Sequence, residues 1–536
     1  MKRVLPAVLL SVFIASCGHN MPPPAPREPG LMVTRALDAM GPTGATATMG
    51  TLVLKGSAKF WEPEQSSVPG GEMRFANEST FEMTRDFSQQ TARTDWVRNF
   101  AYPAPRTFTF SEIVTPRAGY VIGIDSNGRN KQSLSMKPPA HAMSGQRLSA
   151  TQRELDRMSP GLLMEMRRNL EKVRNNLDVV VGDIAYPALS YNAGAYTFIV
   201  AFDPKTDLPV RIRTLDYDNI WGDINYDLVL SDWRVFSYYG GFKLPTTWQY
   251  QLNGRTLVEY KINEVSIDAP VPADRFTAPA AVMAGAPGPS KSWVDYQWVL
   301  RRQFIGTYLD SESTSFDTQA GPGLRLNELA PGVQHVVGGS HNSLIVEMAD
   351  HLVVFDAPVS DWQSKWTIAA AKAKYPEKPI RYLVLSHHHM DHAGGVRAYV
   401  AQGATLVVGG GSADHYRKVL SSPYMRNPDI TGFDLGGTRI MEVADKAVLS
   451  DGKREVTAIR YENPHAASTL MGYVSDAKIA WVTDVYTPGP PLPPKTNPAL
   501  ASIVNAVRKA GLQPQTVAGG HGGTAPYAPL AKLAGN

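Results

Sequence analysis

"RYLVLSHHHMDHAGGVRAY", residues 381–399, sets four of the chain's 12 histidines and an aspartate within six positions. Packing alone rarely needs histidine at that density, because each buried ring nitrogen must find a partner. The stretch runs from an apolar strand into a helix whose first turn includes Gly394 and Gly395. On extended backbone alternate side chains point the same way, so His387 and His389 can grip one cation while His388 points away. As the chain turns into the helix, Asp391 and His392 swing toward a second point nearby. Imidazole and carboxylate together suit a borderline divalent ion such as zinc. Met390 reads as packing.

One loop cannot close two coordination spheres, so further ligands must come from elsewhere. "RYENPHAASTLMGYV" offers His465 in a loop before an apolar strand, and "DAKIAWVTDVY" offers Asp484 after a buried strand. "TVAGGHGGTAP" offers His521 between glycines that admit a close backbone approach. In this order the set closely resembles the metallo-β-lactamase superfamily, in its two-metal, aspartate-bridged branch, over roughly Leu324 to Ala534. The resemblance implies an αββα sandwich; alternating apolar runs ahead of it read as an N-terminal antiparallel β-rich domain with a helical insertion, so the expected fold class is α/β. The resemblance also implies roles by position. His387, His389 and His465 would hold a first Zn2+ or other divalent metal; Asp391, His392 and His521 would hold a second, with Asp484 bridging both. Asp356, closing "LVVFDAP", would support the site from behind. His335, His341 and His351 read as structural, with His341 in "GGSHNS" the nearest of them to the site mouth. "HAAST" after His465 departs from the commoner small-polar-glycine sequence, a shift in expected substrate shape.

The reaction so implied is hydrolysis by a metal-bridged hydroxide, with Asp391 as catalytic proton acceptor. Asp484 stands where a thiolate acts in cysteine-ligand β-lactamases, and other dinuclear β-lactamases usually lack a carboxylate there. A small-molecule ester, lactone, thioester or amide is therefore the expected substrate. Flavodiiron relatives use the same fold with iron but generally replace one of these histidines with a carboxylate, whereas His389 is retained.

A chain of 536 residues is too long for one core, so two or three domains are expected. A net charge of +4 gives no electrostatic case for a nucleic-acid partner. "MKRVLPAVLLSVFIASCGHN" has basic Lys2 and Arg3, an apolar run from Val4 to Ile14, and Cys17, the sole cysteine. The run is shorter than the roughly 20 residues of a permanent span. It resembles the lipobox of bacterial lipoproteins, which implies a lipid anchor at Cys17. With Gly18 next, the resemblance implies the outer-membrane side of the bacterial periplasm. One cysteine excludes intrachain disulfides.

The expected organisation is a leader over 1–17, a tether over 18–30, a β-rich domain over 31–279, a linker and connecting segment over 280–322, and the metallo-β-lactamase-like domain over 323–536. In the β-rich part Asn253-Gly254 predicts a hairpin, and Thr151 with Glu154 predicts a capping box. Ser159-Pro160 predicts the start of a second helix through "GLLMEMRRNLEKV". The connecting segment "WVDYQWVLRRQFIGTYL" reads as helical. The course of the β-rich half weakly resembles half-barrel envelope domains that carry or sort lipoproteins. This leaves an alternative function, an envelope lipid or lipoprotein carrier with an accessory metal domain.

Overall fold

The computed structural model describes residues 27–534 except 43–44, 46–47, 128–130, 159, 239, 291–299, 301–305, 307–309, 311–323, 340 and 427–433. The leader with Cys17, residues 18–26 of the tether and most of the connecting segment 293–309 lie outside the described residues. Among the described residues no helix is long and apolar enough to cross a membrane.

The N-terminal half is one antiparallel sheet of thirteen strands. These are β1 (Thr51–Glu62), β2 (Arg74–Asp86), β3 (Thr91–Phe100), β4 (Arg106–Val114), β5 (Gly119–Gly123) and β6 (Ala140–Ala142). They continue with β7 (Val173–Val181), β8 (Ile184–Asn192), β9 (Thr197–Phe202), β10 (Pro209–Asp218), β11 (Gly222–Phe236), β12 (Phe242–Leu252) and β13 (Arg255–Ile267). Their order, β6 through β1 and then β13 down to β7, makes two meanders joined at the β1–β13 pair, with β6 and β7 at the two edges. The β12–β13 hairpin turns on Asn253 and Gly254, at φ 48° and 83°, values those two residues tolerate best. Alternation along β1 and β3 turns one face inward, where three helices pack on it.

The first of these, α1 (Pro29–Met40), has proline in its first turn and is capped by Glu28, whose carboxylate accepts from Gly30 N and Leu31 N. The second, α2 (Gly145–Arg157), starts six residues before the predicted capping box. Ser144, extended at φ −63° and ψ 157°, accepts from Arg147 N and takes the cap position. Thr151 sits inside the helix, with Oγ1 donating back to Arg147 O at 2.9 Å. The third, α3 (Gly161–Arg168), follows Pro160 but stops at Asn169, so "NLEKV" is a 3-10 turn leading into β7. The buried face of α2 includes three arginines, Arg147, Arg153 and Arg157. Arg147 donates to Asp125 at 2.6 Å and Glu112 at 2.7 Å, and Arg157 to Thr214 at 2.7 Å.

The C-terminal half is a four-layer sandwich. Its first sheet holds β14 (Arg325–Ala330), β15 (Val333–Val337), β16 (Ser343–Glu347), β17 (Leu352–Phe355), β18 (Ile380–Val384), β19 (Thr405–Gly409) and β20 (Ile440–Val443) in sequence order. The second holds β21 (Lys446–Ser450), β22 (Glu455–Arg460), β23 (Leu470–Val474), β24 (Ile479–Val482), β25 (Thr516–Gly519) and β26 (Thr524–Pro526). Phe355, Val384 and Val407 of the first meet Val456, Leu470 and Trp481 of the second in a shared core. Outside the first sheet lie α4 (Asp361–Lys374), α5 (Val396–Val400) and α6 (Ala413–Ser421); outside the second lie α7 (Pro498–Lys509) and α8 (Tyr527–Ala534). The strands β17 to β20 run parallel, as do β24 and β25. Their carboxyl ends open on one edge of the sandwich, where ligands of α/β sheets gather.

The two halves dock through the β10–β11 turn. Fully buried Arg397 donates to Asn219 O at 2.6 Å, Ile220 O at 2.8 Å and Val419 O at 2.7 Å. Tyr217 donates to Asp361 Oδ2 at 2.8 Å, and Asp223 accepts from Met425 N and Arg426 N at 2.9 and 3.0 Å.

Candidate metal centre

The residues singled out above lie just past strand ends on that edge. Asp356 follows β17, the histidine loop follows β18, His465 precedes β23, Asp484 follows β24 and His521 follows β25. His389, extended at φ −65° and ψ 146°, takes the N-cap position of the short helix Met390–Ala393. The extended-to-helical change separates the two pairs of side chains as expected.

The structure brings all seven together in two groups, His387, His389 and His465 in one and Asp391, His392, Asp484 and His521 in the other. Asp484 touches both. Its Oδ2 lies 2.8 Å from His392 Nε2 and 3.4 Å from His387 Nε2. Its Oδ1 lies 3.1 Å from His521 Nε2 and 3.6 Å from His465 Nε2. Within the groups His389 Nδ1 and His465 Nε2 are 2.9 Å apart, and His392 Nε2 and His521 Nε2 are 3.1 Å apart.

Outer contacts set the ring tautomers. Asp356, with φ 61°, accepts from Ser386 N at 2.7 Å, Ser386 Oγ at 3.0 Å and His392 Nδ1 at 2.9 Å. His387 Nδ1 donates to Ser386 Oγ at 3.1 Å, since that hydroxyl proton is already given to Asp356. His389 Nε2 donates to the carbonyl of Ser66 at 2.9 Å. His387 and His389 thus spend their protons outward and turn a lone pair inward, while His392 Nε2 faces Asp484 Oδ2 at 2.8 Å. Buried His387 Nε2 has no hydrogen-bond partner. Inward acceptors without donors are poorly served by hydrogen bonding and well served by cations, so the residues fit the metal pair that the resemblance implies.

The charges agree with that fit. Burial, reinforced by His389, drives the His387 imidazole well below its usual pKa; burial with His465 does the same to His389, and burial lowers His465. These rings are neutral at pH 7, the form a metal ligand needs. Burial alone would raise the Asp484 carboxyl, but His465, His392, His521 and His387 hold it well below the carboxylate range. Burial also opposes charge on His392, yet Asp484 and Asp356 outweigh it and raise that ring's pKa. The same two carboxylates would draw a metal ion in place of that proton.

The remaining histidines divide. His388 is outside both groups, with Nε2 donating to Ser66 O at 2.9 Å. His335 bonds to Gly519 O at 3.0 Å and His351 to Asp350 at 2.6 Å, both structural contacts. His341 lies at the mouth, its ring centroid 4.5 Å from that of His521. Sequence reasoning missed the contribution of the N-terminal half. The β1–β2 loop reaches the centre, and Gln65 Nε2 donates to Asp391 Oδ1 at 3.0 Å. Nothing in "EPEQSSVPGG" marks it as part of a site.

Residues 336–429 match the family model of the Metallo-beta-lactamase superfamily. Among curated proteins none matches the chain significantly. Solved structures similar to it include a metallo-beta-lactamase from Pontibacter korlensis, 17% identical over 40% of this chain and 97% of that one, with a TM-score of 0.31. A metallo-beta-lactamase from Hirschia baltica is 20% identical over 39% of this chain and 96% of that one, with a TM-score of 0.29. The flavodiiron protein from Giardia intestinalis is 17% identical over 39% and 58%, with a TM-score of 0.29. The family match falls on the β15-to-α6 part of the sandwich, with the histidine loop at its centre, and the C-terminal half of the chain is metallo-β-lactamase-like.

Proposed function

We propose that the protein is a dinuclear metal-dependent hydrolase acting on a small ester, lactone, thioester or amide. The observation that carries this reading is Asp484, a single carboxylate set between two groups of inward-facing ligand atoms. His387, His389 and His465 would hold one cation, Asp391, His392 and His521 the other, and Asp484 both; nitrogen and oxygen donors favour zinc. Such a pair supplies, when bound, an acidified water and polarisation of the acyl oxygen. The residues do the rest. Asp391 turns Oδ2 toward His341 Nε2, 3.5 Å away, and His392 Nε2, 3.9 Å away, and Oδ1 toward Gln65, leaving on Oδ1 one lone pair that can take a proton. Asp356 and Ser66 keep His392 and His389 in the tautomers that face inward.

Elemental analysis of the full purified protein tests this, followed by a panel of ester, lactone, thioester, amide, β-lactam and phosphodiester substrates. The expected result is about two zinc equivalents and acyl hydrolysis that Asp391→Ala abolishes. Iron, or one equivalent without hydrolysis, overturns it. The leader supports export and a lipid anchor at Cys17 on the periplasmic side of a bacterial outer membrane. Labelled palmitate should enter the wild-type chain in cells and not Cys17→Ser; equal labelling of both would sink the anchor.

A further inference from the structure

The β1–β2 loop, residues 63–73, touches both ligand groups. Its Ser66 carbonyl accepts from His389, its Gln65 carboxamide donates to Asp391, and Ala467 N, two residues past His465, donates to Ser67 O at 2.8 Å. At its base Arg74 donates to His465 O at 3.3 Å and lies 4.6 Å over the Tyr102 ring. Gln65 is 8% exposed, and both ends of its amide are used. Tyr102 Oη donates to Oε1, which fixes the amide so that Nε2 is the end offered to Asp391. A contact that only joined the two halves would not need an oriented amide against a ligand carboxylate. That joining is already provided at the β10–β11 turn, around Arg397 and Asp223.

We propose that Gln65 is a positioning residue of the hydrolytic centre. Held by Tyr102, it fixes which oxygen of Asp391 faces the second cation, so the N-terminal sheet completes the active site. This rests on the metal-dependent reading above. It assigns the β-rich half a place in the chemistry and removes the ground for treating the two halves as a carrier and an accessory.

Cobalt(II) titration of the full metal-free chain tests it, read by visible absorption and by competition with a chelator. The variants are Gln65→Ala, Tyr102→Phe, the double variant, and Asp223→Ala as an interface change remote from the centre. Gln65→Ala should weaken the cation held by Asp391, His392 and His521 by about 10–100-fold and shift its absorption band, leaving the other cation unchanged. Tyr102→Phe, which removes only a hydroxyl, should do the same to a smaller extent. The double variant should be no weaker than Gln65→Ala, because the tyrosine acts through the glutamine. Asp223→Ala should leave the spectrum as in wild type. Wild-type spectra and affinities in Gln65→Ala, or losses that add in the double variant, overturn the proposal. A wild-type chain that takes up no cobalt overturns the metal-dependent reading itself, and this inference with it.

Discussion

Asp484→Asn is expected to abolish uptake of both cations and to reduce hydrolysis by more than the ~100-fold that loss of an outer contact costs. The reason is position. Its two oxygens lie between 2.8 and 3.6 Å from Nε2 of His387, His392, His465 and His521, so its charge serves both ligand groups. An amide of the same shape removes that charge and turns a donor toward lone pairs that already lack one. Thermal unfolding with and without zinc reads the effect apart from activity. A ligand at a thousand times its Kd stabilises the native state by about 4 kcal/mol. Wild type should show an upward shift on adding zinc, and Asp484→Asn none. An equal shift in both would remove Asp484 from the ligand set.

The second large effect lies away from the centre. Arg397→Ala should lower the stability of the folded chain by about 3–5 kcal/mol. Three carbonyls on two parts of the molecule would lose their donor, and Asp361 would lose a cation. Arg397→Lys should recover little, since one ammonium cannot reproduce the planar fork that reaches both sides. The loss should also depend on pH. Burial raises the Asp361 carboxyl and Arg397 offsets that, so removing the arginine raises it further. A carboxyl that binds its proton more tightly folded than unfolded lowers stability as pH rises through that window. The deficit should therefore be smaller near pH 4 than near pH 7. Denaturant unfolding of both variants at the two pH values checks this, and a loss independent of pH would exclude Asp361 from the coupling.

Some of this molecule is legible from residues alone. The hairpin at Asn253-Gly254 is, because few residue pairs accept two successive positive φ angles. Which side chains meet at the sandwich edge is legible through the resemblance that the ordered set from His387 to His521 carries, each member lying next to an apolar strand. The start of α2 is not. Thr151 and Glu154 fit a capping pattern, but Ser144 has the extended backbone and the free oxygen first. Nor does periodicity report the buried face of α2, because arginines lie on it and distant carboxylates, Asp125 and Glu112 for Arg147, neutralise charge there. The loop at Gln65 is the hardest case. Ser66 acts through a carbonyl that every residue possesses, and Gln65 meets Asp391 from 326 positions away.

That separation orders events during biosynthesis. A ribosome adding about 5–20 residues per second takes on the order of a minute to travel from Gln65 to His521. Until then a nascent chain lacks the last histidine of the second group and the strands that bring the two groups together. On the metal-dependent reading proposed above, any choice among ions would be deferred to wherever the last strands settle.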